Sequence, residues 1–279
     1  MGSLAIRLYT TLHSGQDGMI EGSDFDYSFD TESEMLISAA TPMKWRFVDC
    51  PVVMRPENLS GLVVHSQGLR VFVPDDRVEA DNGHVATIRM TAIETRLSAG
   101  FVFFNSTSSV AGGAVRVLRL YLSERSVESA VETWKTMMAW QQETGACFRT
   151  KILSRRNQYP RRDAIVVYFH EESLGHLPDL VRVLATGRSE ELETSVLCRR
   201  VGPGMAIAWE PYDPEGVGRR SISFGEHRTE NIAKSMLTNW WDGEDFEQKV
   251  SAHLETANID PGNVWRNGDS LDLSELVRG

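Results

Sequence analysis

The chain has 279 residues, enough for one large domain or two small ones with a substantial apolar core. Its formal net charge of −10 argues against a nucleic-acid binder, because such proteins need a cationic surface to displace counterions. The three cysteines form neither a CxxC pair nor a metal-ligand spacing, so we expect no disulfide framework and a reducing, cytoplasmic environment.

The N-terminal third is predicted to be mainly β. Residues 5–12 fit a short strand or a helical turn, and the acidic stretch 14–34 is predicted to be a loop, either a solvated connection or a docking surface for a basic peptide. Residues 61–74 predict a hairpin, and a further strand is expected at 85–90.

The rest of the chain alternates strands and helices. Strands are expected at 101–104, 115–122 and 204–209, and helices at 126–144, 174–185, 223–241 and 244–257. This order predicts an α+β fold, a single domain with a mixed, mostly antiparallel sheet flanked by helices.

The Ser, Thr and Gly-rich link 105–113 is the candidate subdomain boundary. It separates a mainly β part, 1–112, which is a candidate for peptide docking, from an α+β part, 113–279, which is expected to hold the anion-binding pocket.

The segment 147–169 carries the strongest chemical signal, because two β-like runs enclose six basic residues. On a strand, Arg149 and Lys151 share one face, which suits an anion. The run 163–169 lacks polar alternation, as expected for a strand buried in the middle of a sheet. A solvated charged hairpin is the structural alternative.

A capping-box spacing, Ser223 to Glu226, predicts a helix start. It places His227 and Arg228 in the first turn, where cations are unfavourable for the helix and call for a compensating anion. A phosphate can supply it, and so can neighbouring Glu or Asp side chains.

Several familiar sites are missing. We find no phosphate loop, no GxSxG, no HExxH and no GxGxxG, and so we expect neither a metal nor a cofactor. No apolar run approaches the length of a membrane span, so no membrane association is expected.

Five motifs carry a family resemblance in their order along the chain. They are LRLYL at 118–122, FRTK at 148–151, YPRRDAIVVYF at 159–169, GPGMAIAWEP at 202–211 and SFGEHR at 223–228. The chain resembles the Hop-A family of bacterial type III effectors, and more closely its relatives that act as phosphoserine and phosphothreonine lyases in class V lanthipeptide and thioamitide biosynthesis. The resemblance covers about 85–233 and is loose over the first 80 residues.

The resemblance implies a lyase that removes phosphate from a phosphorylated precursor peptide, with a separate cognate kinase as partner. It points to Arg119, Tyr121, Lys151, Arg161, Asp163, Tyr168, Ser223, Gly225 and Arg228, and the chemistry of the reaction adds His227 and Arg199. We expect Lys151, His227 and Tyr168 as catalytic groups; Arg119, Arg161, Arg199, Arg228 and Ser223 as phosphate ligands; and Asp163, Tyr121 and Gly225 as orienting residues. Arg199 departs from the family pattern, where a Lys is expected, and keeps the charge but not a base.

The chemistry of such an elimination fits these residue types. A base must remove the Cα proton, and Lys151 can do so if the neighbouring Arg149 and Arg161 depress its pKa. Arg161, Arg199 and Arg228 are expected to converge with Lys151 on one phosphate, and His227 is expected to protonate the leaving group.

Two non-catalytic functions remain as alternatives. One is a phosphopeptide- or partner-binding module that uses the same arginines without a base, and the other is a scaffold for the kinase.

Overall fold

Two antiparallel sheets form the frame of the molecule, in a computed structural model that describes residues 2–16, 29–66, 68–106, 116–211, 222–241 and 243–273. The helices are α1 (Gly2–Leu8), α2 (Thr31–Ala39), α3 (Val127–Thr144), α4 (Leu177–Ala185), α5 (Phe224–Asn239) and α6 (Phe246–Thr256), and a π-helical segment, Tyr9–Ser14, continues α1.

The first sheet has five strands in the order β3-β2-β1-β5-β4. They are β1 (Trp45–Met54), β2 (Gly61–Ser66), β3 (Leu69–Pro74), β4 (Val78–Asp81) and β5 (Val85–Thr91). Its two edge strands, β3 and β4, are consecutive in the chain and joined by a three-residue turn, so the sheet curls around an apolar core of its own that includes Val48, Leu62 and Ile88.

The second sheet has seven strands in the order β11-β12-β8-β10-β9-β7-β6. They are β6 (Ile93–Ser98), β7 (Phe101–Asn105), β8 (Val117–Glu124), β9 (Arg149–Leu153), β10 (Arg161–His170), β11 (Arg199–Gly202) and β12 (Met205–Trp209). Strand β10 is central, and all but one of its residues from Asp163 to Phe169 are buried. The prediction of a buried central strand is confirmed, because an unbroken apolar run needs cover on both faces.

Helices α3 and α4 close one face of this sheet. Trp134 of α3 is fully buried and meets Phe104 edge to face. Ser126 caps α3 and Gly145 ends it with a φ of 66°, as the sequence predicts. The opposite face meets α5 and the N-terminal segment, Gly2–Ser14, and part of it stays open.

The predicted α+β class with mostly antiparallel pairing is confirmed, and the hairpin at 61–74 and the strand at 85–90 are present. The strands are divided between two sheets, and β1, β4, β6 and β11 were not predicted from the sequence. The prediction of a loop over 14–34 is wrong at its C-terminal end, because α2 begins there. The carboxylate of Asp30 caps this helix by accepting a hydrogen bond from Ser33 N (3.0 Å). Residues 17–28 of that stretch lie outside the described residues.

The candidate boundary at 105–113 falls mostly on residues 107–113, which lie outside the described part. The strands on its two sides, β7 and β8, belong to the same seven-stranded sheet. The division into 1–112 and 113–279 stays a prediction. None of the described helices combines the length and apolar content of a membrane crossing.

Candidate active site

The register of three neighbouring strands sets the geometry of the open face. Tyr168 of β10 pairs with Arg149 of β9 on one side and with Arg119 of β8 on the other. Paired residues share a face, and neighbouring strands lie about 4.8 Å apart, so a guanidinium group flanks each side of the tyrosine. Two residues further along each strand, and on the same face, Val166 pairs with Lys151 on one side and with Tyr121 on the other.

These residues border a cleft of about 370 Å³. Its lining contains two carboxylates as well as the cations, and β6, β7, β8, β9, β10, the end of β12 and the start of α5 all contribute. The lining residues are Ser98, Phe103, Val117, Arg119, Arg149, Lys151, Tyr168, His170, Glu210, Ser223 and Glu226.

The two arginines of the cleft differ in charge compensation. Arg119 is buried, its Nη2 lies 2.7 Å from Glu210 Oε1, and its guanidinium lies 5.1 Å from the centre of the Tyr168 ring. Arg149 lies 4.7 Å from the centre of the Phe103 ring and 5.9 Å from that of Tyr168, and it makes no ion pair with any described residue. Arg149 therefore offers its full positive charge to an incoming anion.

Lys151 is partly buried, and within the described part of the chain its ammonium group has neither a hydrogen bond nor an ion pair. Its Nζ lies 4.1 Å from the centre of the Phe101 ring. Burial, followed by the positive charge of Arg119, lowers the pKa of Lys151 to about 8. The pKa of Lys151 is lowered as expected, but the causes differ from the prediction: burial and Arg119 dominate, Arg161 contributes less, and Arg149 is not among the main causes.

Asp163 and Arg161 form a buried ion pair close to the cleft. Arg161 donates two hydrogen bonds to the carboxylate, one of them 3.1 Å from Nη2 to Oδ2. Burial opposes ionisation of Asp163, but the neighbouring Arg161 guanidinium prevails and holds the pKa of this carboxyl well below its usual range. Arg161 is thus committed to a protein carboxylate, and neither residue lines the cleft.

The start of α5 borders the cleft. Ser223 Oγ accepts a hydrogen bond from Glu226 N (3.3 Å), and Glu226 Oε2 accepts one from Ser223 N (2.9 Å), which forms the predicted capping box. Because the Glu226 carboxylate also lines the cleft, an anion is better placed near Arg149 than at this helix end.

Four further predicted site residues also lie outside the cleft lining. Arg228 is completely buried and donates hydrogen bonds to two backbone carbonyls and to Asn267, and its Nη1 lies 2.7 Å from His227 Nδ1. Arg199 lies over the ring of Trp265 (5.4 Å). Tyr121 is buried beneath the open face, where burial raises its pKa. The structure therefore brings Lys151, Arg119, Tyr168 and Ser223 together in the cleft. The other predicted site residues do not line it: Arg161, Asp163, Arg199, Arg228, His227, Tyr121 and Gly225.

Sequence reasoning missed other cleft residues. Glu210 and Glu226 lie within the motifs GPGMAIAWEP and SFGEHR, so their positions could have indicated that they belong to the site. They were not predicted because a phosphate site is expected to consist of cations. Nothing in the local sequence connects Tyr9 or His13 with the site, although Tyr9 donates a hydrogen bond to Asp163 Oδ2 (3.3 Å).

The fold and the cleft define an α+β protein with a cationic, partly apolar pocket on the open face of an antiparallel sheet. Residues 92–266 match the model of the HopA1 effector protein family, and the chain belongs to this family. No curated protein sequence matches it.

Two solved effector structures are similar in fold. An effector protein from Pseudomonas syringae pv. tomato strain DC3000 has a TM-score of 0.51 and 11% identity, over 94% of this chain and 90% of that one. One from Pseudomonas syringae pv. syringae strain 61 has a TM-score of 0.48 and 13% identity, over 94% and 89%. At 11% identity, the similarity to the first structure is evidence for a shared fold and for nothing more.

Proposed function

We propose that this chain is a lyase that eliminates phosphate from phosphoserine or phosphothreonine in a ribosomal precursor peptide. The products are dehydroalanine and dehydrobutyrine, and a separate kinase installs the phosphate beforehand. One observation carries the proposal: Lys151 lies in a cleft next to Arg149, and among the described residues the amine has no hydrogen-bonding or ionic partner and the guanidinium has no ion pair.

In the proposed reaction, the neutral amine of Lys151 takes the Cα proton of the phosphorylated residue. The electron pair of that C–H bond forms the Cα=Cβ double bond. The Cβ–O bond breaks, and phosphate leaves with its bonding pair. Since negative charge builds up on the leaving group, fixed cations close to it lower the barrier.

The positions of the side chains suggest their roles. Arg149 is the main phosphate ligand, because no described carboxylate neutralises it, and Arg119 assists while it stays paired with Glu210. Tyr168 lies between the two guanidinium groups, and we assign it the role of donating a hydrogen bond to the leaving oxygen. His227 has weaker support as the acid than Tyr168, because it does not line the cleft.

The pKa of Lys151 also supports a base. A free lysine is almost fully protonated at neutral pH, whereas a group with a pKa of about 8 supplies an appreciable neutral fraction. The order of the sequence motifs, which resembles that of lanthipeptide and thioamitide lyases, is the second line of support.

A non-catalytic phosphopeptide- or partner-binding module is the alternative, favoured by membership of an effector family. Such a module needs Arg149 and Arg119 but no base. Lys151→Arg separates the two functions, since arginine keeps the charge and cannot deprotonate.

The direct test incubates the purified protein with a phosphoserine peptide, in chelator and without nucleotide, and follows loss of phosphoric acid by mass spectrometry. We expect the dehydrated product, with a rate that rises with pH through about 8 as Lys151 loses its proton. We expect Lys151→Arg to bind the peptide and leave it intact. A product with a restored hydroxyl would identify a phosphatase, and binding without turnover by the wild type would establish the alternative.

A further inference from the structure

The N-terminal segment, Gly2–Ser14, contacts the buried ion pair beside the cleft. Tyr9 donates a hydrogen bond to Asp163 Oδ2 (3.3 Å), and its hydroxyl accepts one from Arg161 Nη2 (3.2 Å). One hydroxyl thus bridges the carboxylate and the guanidinium group of the ion pair. Tyr9 is distant in sequence, 154 residues from Asp163, so the bridge exists only while this segment is docked.

His13 fixes the segment in place. His13 Nδ1 lies 2.9 Å from Ser195 Oγ, which also donates a hydrogen bond to Leu12 O (3.2 Å), and His13 Nε2 lies 3.9 Å from Asp163 Oδ2. The imidazole also packs edge to face against Tyr121, with the ring centres 5.1 Å apart. Burial lowers the pKa of His13 to about 4, so the ring is neutral at physiological pH.

Gly225 provides the space for this docking. A Cβ atom at this position would lie 2.4 Å from His13 Cδ2 and 2.7 Å from Tyr9 Cε2, closer than packed atoms tolerate. The first turn of α5 therefore accepts the two rings only because residue 225 has no side chain.

The ion pair is connected to Lys151 through one aromatic ring. The Arg161 guanidinium lies 5.6 Å and Lys151 Nζ lies 4.1 Å from the centre of the Phe101 ring. Among the described residues, the charged groups that act on Lys151 are Arg119 from β8, Asp163 and Arg161 from β10, and Glu226 from α5, and Arg149 of β9 lines the same cleft.

We propose that Tyr9 is a positioning residue for Lys151: it holds the Asp163–Arg161 pair in a fixed orientation beside the amine, and His13 and Gly225 seat it there. The N-terminal segment is then part of the site. The role of Lys151 as the base rests on the proposed lyase function. The contact of Tyr9 with the Asp163–Arg161 pair is independent of that function.

Loss of the Tyr9 hydroxyl has a predictable direction. Asp163 loses a donor and Arg161 loses an acceptor, and the two changes act on Lys151 in opposite directions. Because Asp163 affects the pKa of Lys151 more strongly than Arg161 does, the net change favours the protonated form of Lys151. Tyr9→Phe is the sharpest variant, because it removes only the oxygen and keeps the ring against Gly225 and His13. Gly225→Ala is expected to displace both rings, because its Cβ atom would collide with them.

The test measures the reaction of each lysine with acetic anhydride from pH 6 to pH 10, quantified by peptide mass spectrometry on the full chain. In the wild type we expect a midpoint of about 8 for Lys151. In Tyr9→Phe and in Gly225→Ala we expect it to rise by about 0.5 pH unit or more. The exposed Lys135, paired with Glu132 on α3, is the internal reference in each sample.

Tyr159→Phe is the matched control. It also removes one tyrosine hydroxyl with a hydrogen bond, to Leu153 O (2.7 Å), but without contact to Asp163. We expect its Lys151 midpoint to match the wild type, even if its melting temperature falls. A Lys151 midpoint in folded Tyr9→Phe within about 0.2 unit of wild type would overturn the proposal.

The labelling experiment separates this proposal from the lyase function. If the wild type eliminates phosphate, the pH of half-maximal kcat should rise in Tyr9→Phe with KM changed less than about twofold. If the wild type proves inactive, a shifted Lys151 midpoint still establishes the positioning contact, and only the lyase function is lost.

Discussion

The two faces of the seven-stranded sheet differ sharply, although successive residues of the same strands form them. On β9, Thr150 and Ile152 point towards α3 and are completely buried, and Thr150 Oγ1 donates a hydrogen bond to Val166 O (2.9 Å). Arg149 and Lys151 point the other way, into the cleft. Helices exclude water from one face, which stabilises the fold. The other face keeps its charges within reach of a ligand, at a cost in desolvation.

The largest effect should follow removal of the base from the open face. We expect Lys151→Ala to reduce the rate of phosphate elimination by about 10³-fold or more, in line with the loss of a general base. Phosphopeptide binding should change little, because the arginines remain. Single-turnover mass spectrometry and fluorescence anisotropy measure the two quantities, and activity within about tenfold of wild type would exclude Lys151 as the base.

On the closed face, the neighbouring residue should act on stability alone. Ile152→Ala leaves a cavity between the sheet and α3, and we expect it to lower the free energy of unfolding by about 3 kcal/mol, measured by urea denaturation. Leu97→Ala, on the edge strand β6 at 58% exposure, is the control and should cost less than about 0.5 kcal/mol. Equal losses would show that α3 does not seal this face.

A smaller effect is expected for the uncompensated cation. Arg149→Gln should lower kcat/KM for a phosphopeptide by about 10 to 100-fold, as for one lost charge-assisted contact. Arg70→Gln, on the exposed edge strand β3, removes the same charge from the other sheet and serves as the control. If both variants behaved alike, a diffuse electrostatic attraction would explain the binding instead.

The smallest effect concerns the energetic cost of the buried amine. The pKa of Lys151 in the fold, about 8, lies below the value of about 10.4 for an unfolded chain, so the unfolded state binds more protons between these two pH values. Stability therefore rises with pH across this window. Lys151→Met should stabilise the protein by about 1 kcal/mol at pH 7, after allowance for solvent screening. We expect the gain to fade between pH 8 and about 10 in urea titrations.

The local sequence predicted the strands and their faces because alternation and apolar runs are properties of neighbouring residues. The shared face of Arg149 and Lys151 and the central position of β10 follow from such patterns. Strand β1 escaped prediction despite its alternating burial, since Pro51 interrupts the pattern.

The convergence of charges could not be predicted in the same way. Whether an arginine faces a ligand or a protein group depends on partners far along the chain. Arg228 meets carbonyls 36 and 38 residues away, and Arg161 meets Tyr9, 152 residues away. Local sequence patterns contain no information on such long-range contacts. Arginines in similar local sequence can therefore have different roles in the fold.

The docking of Gly2–Ser14 also has a consequence for the time course of synthesis. Its partners Asp163, Ser195 and Gly225 leave the ribosome long after it does, and at about 5 to 20 residues per second the delay to Gly225 is on the order of ten seconds or more. During that interval the segment lacks the partners that bury Tyr9 and His13 in the folded protein. Chaperones have access to it then, and the pocket is completed only after α5 has emerged.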